Sequence, residues 1–393
     1  MSIDPASPFG SLSINEFLNK YWQKQPVIIR QAFPNFSDII SAEELAGLSL
    51  EQDVESRIIQ HKGHARKKSW DVIQGPFDEH FFHQLPDENW TLLVQNVDNW
   101  SEQACPLLEQ FSFIPNWRRD DLMISFATPG GGVGPHVDQY DVFLIQGMGQ
   151  RHWQVGSNDE SLMNQIPHPL LKQVSDFTPI INDTLNPGDI LYIPPGFPHC
   201  GTAINDCLTY SVGFRAPSRQ MVLEQLLSDL LENDEYESNR YRDHHPEQTF
   251  LSAELPDHLS SWLMESLSQV NPAQLQMAFA KIVTRRPAFE EEIEELSKEE
   301  LRNVIEKLEH APGSIHLEDN ARITGYESDN HYICVINANV QPFPIKHRDI
   351  IRKLVNHGVI LSNRSNKLPQ DVEFISGIAN LINKGCLNFQ QHD

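Results

Sequence analysis

Hydrophobic positions along this chain change their period twice. From Leu122 the step is two: Leu122, Ile124 and Phe126 alternate with Met123 and Ser125, the mark of a half-buried strand. Thr128 to Pro135 interrupts the pattern with a Gly/Pro-rich loop. Val137 to Gln146, Arg151 to Val155 and Cys207 to Phe214 are further predicted strands, with Gly147-Met148-Gly149-Gln150 as a turn. Short strands parted by Gly/Pro turns, with no helix between them, predict an all-β barrel or sandwich. After Pro217 the step becomes three and four. Met221 to Leu231 is one predicted helix, Leu255, Leu259, Leu263 and Leu267 lie on a second, and the Glu-rich stretch 288–309 is a third. Beyond Pro312-Gly313, a strand over Tyr332 to Ile336 and helices over Asp349 to Asn356 and Asp371 to Asn383 predict a small α+β segment of winged-helix kind. Before the barrel the signals are mixed. Ser13, with Glu16 three positions on, caps a helix start, and Pro26 to Arg30 reads as a strand.

The chain's 393 residues suffice for two or three domains with their own cores. No apolar run has the length of a membrane span. Met1 to Leu12 lacks a basic start followed by an apolar stretch, so no secretory signal is expected. The five scattered cysteines form no C-x-x-C, which argues against a zinc site or disulfide framework and fits a reducing cytoplasm. The formal net charge of −24 repels nucleic acid and attracts basic partners, although solubility alone also explains it. A winged helix would point to nucleic acid. Residues 312–393, however, carry 8 Asp/Glu against 8 Lys/Arg and lack the basic footprint that phosphate binding needs, so protein contact is the favoured reading there.

His136-Val137-Asp138 is the candidate chemistry. On a strand, a spacing of two points both side chains to one face. His199 ends Pro187-Gly188-Asp189-Ile190-Leu191-Tyr192-Ile193-Pro194-Pro195-Gly196-Phe197-Pro198-His199, which reads as strand then turn. Two imidazoles and a carboxylate make the facial triad of non-haem Fe(II) oxygenases, with coordination positions left for a bidentate co-substrate and dioxygen. Two hydrogen-bonded core histidines are the bland alternative. An oxygenase using 2-oxoglutarate also needs a cation for the distal carboxylate. Arg151 shares a face with Trp153 and Val155, which predicts it inward and in need of an anion. Ser125, on a neighbouring strand, is either a second ligand of that carboxylate or an ordinary strand serine.

These residues carry a resemblance. The run Asp121 to Val155, with Gly134-Pro135-His136-Val137-Asp138-Gln139-Tyr140-Asp141-Val142-Phe143, the Pro187–His199 segment and Tyr210 to Arg215, resembles the JmjC-type oxygenases. It is most similar to the bacterial ribosomal oxygenases, which hydroxylate an arginine of ribosomal protein L sixteen at carbon 3. Arg151 stands where many JmjC proteins carry Lys, as it does in the bacterial branch. The resemblance implies a mixed α and β chain: a double-stranded β-helix (cupin/JmjC) catalytic domain over 1–217, a helical dimerisation region over 218–311, and a winged-helix-like domain over 312–393. It implies Fe(II) on His136, Asp138 and His199, with 2-oxoglutarate on Arg151 and Ser125 and dioxygen as oxidant. Asp121 would pair with the target guanidinium, Met123 and Tyr140 would flank it, and Ser211 would hydrogen-bond it. Read alone, Asp121 is a solvated strand-edge acid; the resemblance reverses that.

The expectation is a cytoplasmic, homodimeric arginine 3-hydroxylase that takes a basic ribosomal protein, without direct nucleic-acid or membrane binding. Two alternatives stay open at this point. One is a JmjC-type demethylase of N-methyl-lysine, which would release formaldehyde. The other is a non-catalytic metal-binding cupin module, which would release no CO2 from 2-oxoglutarate.

Overall fold

The computed structural model describes residues 9–10, 12–62, 69–159, 171, 173–175, 177–232, 259–268, 270–286, 297, 299–300, 313–318, 321–362 and 368–391. The predicted helix over 288–309 and Leu255 lie outside the described residues, apart from three positions. The chain divides into two compact units, Met1–Arg215 and Ala216–Asp393.

The first unit holds twelve described strands: β1 (Val27–Ile29), β2 (Ser56–Lys62), β3 (Ser69–Gln74), β4 (Trp90–Val94), β5 (Arg119–Ala127), β6 (His136–Val137), β7 (Asp141–Gln146), β8 (Arg151–Gly156), β9 (Pro179–Leu185), β10 (Ile190–Ile193), β11 (Pro198–Ala203) and β12 (Cys207–Phe214). A large sheet runs β1-β10-β7-β12-β5-β4-β2-β3, and a small one runs β6-β11-β8-β9. Every pairing in both is antiparallel.

The large sheet is buried on both faces along its centre. Its outer face carries Leu122, Ile124, Phe143, Ile145, Tyr192, Tyr210, Val212 and Phe214 into the main core. That core also takes Phe17 of α1 (Ile14–Lys20) and Leu45 of α2 (Ala42–Leu48), and, past the one-turn α3 (Glu79–Phe82), Leu107 and Leu108 of α4 (Ala104–Glu109). Ser13 caps α1 as predicted, its hydroxyl accepting from the Glu16 amide at 3.1 Å. Its inner face turns Val142, Leu144, Leu191 and Ile193 toward Trp153, Val155 and Leu185 of the small sheet. Two sheets facing each other over a shared interior are the cupin arrangement, and the interior is where the functional side chains converge.

One predicted strand is two. Val137 to Gln146 breaks at Asp138–Tyr140, where the chain leaves the small sheet and crosses to the large one. Asp138 therefore sits just beyond a strand end, and its carbonyl accepts from the Gly196 amide at 2.8 Å. Likewise His199 belongs to a strand that follows the Pro194–Phe197 turn.

In the second unit, α5 (Arg219–Leu231) packs Leu226 and Leu230 on Ala278 of α7 (Pro272–Thr284), with α6 (Leu259–Ser268) between them in sequence. Asn271 and Gln274 form a capping box on α7, with Pro272 in its first turn. The opposite face of α7 packs Ala280 on Ile333 and Val335 of a sheet made by β14 (Ile323–Ser328), β15 (His331–Ile336) and β16 (Asn339–Pro344). A further sheet joins β13 (Gly313–Leu317), β17 (Val359–Ser362) and β18 (Leu387–Gln391). Helices α8 (Arg348–His357) and α9 (Val372–Ile382) complete this part. Among the described residues no helix is long and apolar enough to cross a membrane.

Candidate metal centre and its pocket

His136 and His199 face each other across the β6–β11 ladder. Directly opposed residues of an antiparallel pair point to the same side, so both imidazoles enter the interior. The Asp138 carboxylate reaches in from the strand end, 3.7 Å from His136 Nε2 and 3.6 Å from His199 Nε2. One donor atom from each of the three lies within 4.8 Å of the others. Two donors held about 2.1 Å from one ion are at most about 4.2 Å apart, and both carboxylate–imidazole separations meet that limit.

Each imidazole is oriented by main chain. His136 Nδ1 lies 2.9 Å from the Gly134 carbonyl and His199 Nδ1 3.0 Å from the Phe197 carbonyl. With Nδ1 donating, the tautomer places the lone pair on Nε2, toward the centre. Gly134 takes φ +80°, and a Cβ there would meet Gln173 and Trp70, so the turn that aims His136 requires glycine. Burial, then the neighbouring His136, push His199 down to about 4. It therefore stays neutral and able to coordinate at physiological pH.

Arg151 points inward as the alternation predicts, and only 4% of it is exposed. Its guanidinium lies 5.8 Å from the centre of the Trp153 ring, and Nη2 lies 3.7 Å from Cys207 Sγ. Nε has no hydrogen-bond partner, and among the described residues no carboxylate is within ion-pair distance of Arg151. A buried cation without a counterion is costly; a ligand carboxylate would relieve it. The Trp153 ring links this end of the interior to the other, with its centre 6.1 Å from that of His199.

The opposite wall is built by β5 and β12. With Leu122, Ile124 and Phe126 on the core side, Asp121, Met123 and Ser125 share the inner face. Across the ladder, Ser211 pairs with Met123 and Thr209 with Ser125. Thr209 is a residue the sequence reading missed. Its buried hydroxyl has no partner among the described residues, and the position two before Ser211 shares its face. Trp153, whose Nε1 is likewise buried without a partner, was read only as a marker of direction.

Asp121 is half-buried beside Gly213, where a Cβ would lie 3.2 Å from its Oδ1. Burial, then the charges of Asp120 and Asp98, push its carboxyl up to about 7, against the Arg215 guanidinium and the Asn96 backbone amide. Tyr140 lies in the crossing segment, and burial, then the charges of Asp138 and Asp121, push its phenol up, which places it between this acidic corner and the metal-side carboxylate. Asp120 and Arg215, which shape the corner, were not singled out from the sequence. The three donors cluster, and Arg151, Met123, Ser125 and Ser211 lie on the strand faces that turn toward the same interior, with Asp121 at its edge.

A family profile described as the JmjC domain matches residues 106–222. The Ribosomal protein uL16 3-hydroxylase of Escherichia coli K12 is 36% identical over 97% of this chain and 98% of its own length. The chain belongs to the JmjC ribosomal oxygenase family. Among other members, the Probable ribosomal oxygenase of Haemophilus influenzae is 38% identical over 56% of this chain and 53% of that protein. The X-ray structure of E. coli YcfD superposes with a TM-score of 0.79 at 35% identity, covering 97% of this chain and 99% of that one. YcfD in complex with cobalt and 2-oxoglutarate gives a TM-score of 0.77 at 34% identity, with coverage of 97% and 99%. The mixed α/β JmjC cupin architecture is therefore that of the family.

Proposed function

We propose that this chain is an Fe(II)- and 2-oxoglutarate-dependent hydroxylase of an arginine, at carbon 3, in ribosomal protein uL16. The observation that carries the reading is the buried Arg151, without a counterion among the described residues, on the same interior surface as two imidazoles and a carboxylate. His136, Asp138 and His199 would hold iron; bound there with 2-oxoglutarate and dioxygen, it supplies the oxidising chemistry. Arg151 and Ser125 take the distal carboxylate of 2-oxoglutarate. Asp121 pairs with the substrate guanidinium, Met123 and Tyr140 flank it, and Ser211 bonds it. These contacts hold the reacting carbon near the metal and keep water out. One oxygen atom enters the arginine C–H bond, the other leaves in succinate, and CO2 is released. The strongly acidic chain steers a basic protein toward the site and disfavours nucleic acid. The reaction is placed in the cytoplasm, where all five thiols stay free.

Incubating uL16 with the enzyme, Fe(II) and 2-oxoglutarate should add the mass of one oxygen atom to an arginine. No gain, or formaldehyde release from a methyl-lysine peptide instead, would sink the reading in favour of a demethylase. Absence of CO2 release from 2-oxoglutarate would leave a non-catalytic module.

The pH dependence follows from Asp121. Its carboxyl, raised to about 7 and faced by Asp120, Asp98, Arg215 and Tyr140, is protonated in much of the free enzyme near neutrality. Only the anion pairs with a guanidinium, so kcat/KM for the arginine substrate should rise as pH increases through about 7. Asp121→Asn should lower kcat/KM and flatten that limb; an unchanged profile would remove Asp121 from recognition. The raised carboxyl also costs stability: the folded chain holds a proton that the unfolded chain releases, so this group's contribution falls as pH rises from about 4 to about 7.

The helical segment serves as a homodimer interface in this reading. Leu223, Leu227 and Leu231 are exposed at four-residue steps on α5, and Leu275 and Phe279 at the same step on α7. Leu227→Glu with Leu231→Glu should yield a folded monomer by light scattering; a wild-type monomer would count against the dimer. The terminal α+β part is read as winged-helix-like and used for protein contact.

A further inference from the structure

We propose that Arg215 is an intramolecular occupant of the substrate's cation pocket, a resident guanidinium that the target arginine must displace. The inference rests on the arginine reading of that pocket given above. Arg215 follows the last residue of β12, and its Nε lies 2.6 Å from Asp120 Oδ2 in an ion pair. Its Cζ lies 5.4 Å from the centre of the Tyr140 ring. The Arg215 side chain is 65% exposed and that of Asp120 16%, so the cation sits at the mouth of the corner and the acid inside it. Its charge also acts on Asp121, opposing Asp120 and Asp98. A guanidinium over Tyr140 and paired with Asp120, the neighbour of Asp121, approaches the arrangement a docked arginine would make, and the chain already makes it with its own side chain.

The contacts suit a displaceable occupant. An ion pair and a cation–π contact made by a largely exposed cation are each weak. They are strong enough to disfavour a free amino acid or a stray cation, and weak enough to yield to a protein that also docks elsewhere. Contacts remote from the reacting carbon then drive the exchange.

The test is calorimetric binding of N-acetyl-arginine amide, N-acetyl-lysine amide and N-acetyl-alanine amide to the full chain, wild type and Arg215→Ala. Arg215 is exposed, so its removal leaves the core intact. Removing a competitor raises the affinity of every cation by the same factor, expected to be about fivefold for the arginine and lysine probes alike. The alanine probe should not gain. Unchanged or weaker arginine binding in Arg215→Ala overturns the proposal while leaving the arginine pocket in place. If neither protein prefers the arginine probe to the alanine probe, the pocket reading and this inference fall together.

Discussion

Asp138→Ala should abolish succinate formation. Asp138 is the only carboxylate among the three donors, and it lies between both Nε2 atoms, 3.7 and 3.6 Å away. Without it two imidazoles remain, with no negative charge to offset a dication. Losing a mere supporting contact at a metal site already costs roughly 10–100-fold in affinity or activity, and losing an anionic ligand should cost more. Iron titration should show the affinity loss directly, and no 2-oxoglutarate should be consumed. The fold should persist, because Asp138 lies beyond the end of β6 and its ladder-side carbonyl contact to Gly196 is main chain. Turnover at the wild-type rate in this variant would end the ligand assignment.

Replacing Arg151 with Met separates two effects that usually move together. The variant should be more stable than wild type without 2-oxoglutarate, because an isolated interior charge is replaced by an apolar chain. It should also lose the co-substrate. Truncating one partner of a buried charge pair costs about 2–5 kcal/mol, which predicts a KM for 2-oxoglutarate raised by about a hundredfold. A ligand present at a hundred times its Kd stabilises the folded state by about 2.7 kcal/mol. Thermal melts with Fe(II) under argon should show that gain in wild type and not in Arg151→Met. If 2-oxoglutarate stabilises both proteins equally, its carboxylate is bound elsewhere.

The sequence was most legible where one face of a strand is core and the other is site. On β5 the alternation separates Leu122, Ile124 and Phe126 from Asp121, Met123 and Ser125, and the structure keeps that division. On β8 the inward set Arg151, Trp153 and Val155 is likewise as read. Legibility failed where both faces are buried. Every residue of β7, β10 and β12 is buried, so no period marks their ends, and the break at Asp138–Tyr140 was invisible. Strands β2 to β4 extend the large sheet from a region that gave mixed signals, since they depend on β5 for partners. Helix α7 lies inside the 218–311 stretch expected to be helical but is not picked out there as an element of its own, although Asn271-Pro272 and Gln274 mark its start. The Arg215–Asp120–Tyr140 contact joins three segments distant in sequence, and no local pattern announces it.

The hydrogen bonds from both imidazoles to the Gly134 and Phe197 carbonyls have a further consequence. Ring orientation is dictated by peptide groups, which substitution does not alter as long as the turns keep their shape. The charges that line the acidic corner belong to side chains. Descendants of this protein can therefore trade one target for another by changing that lining, while the reactive centre is inherited intact.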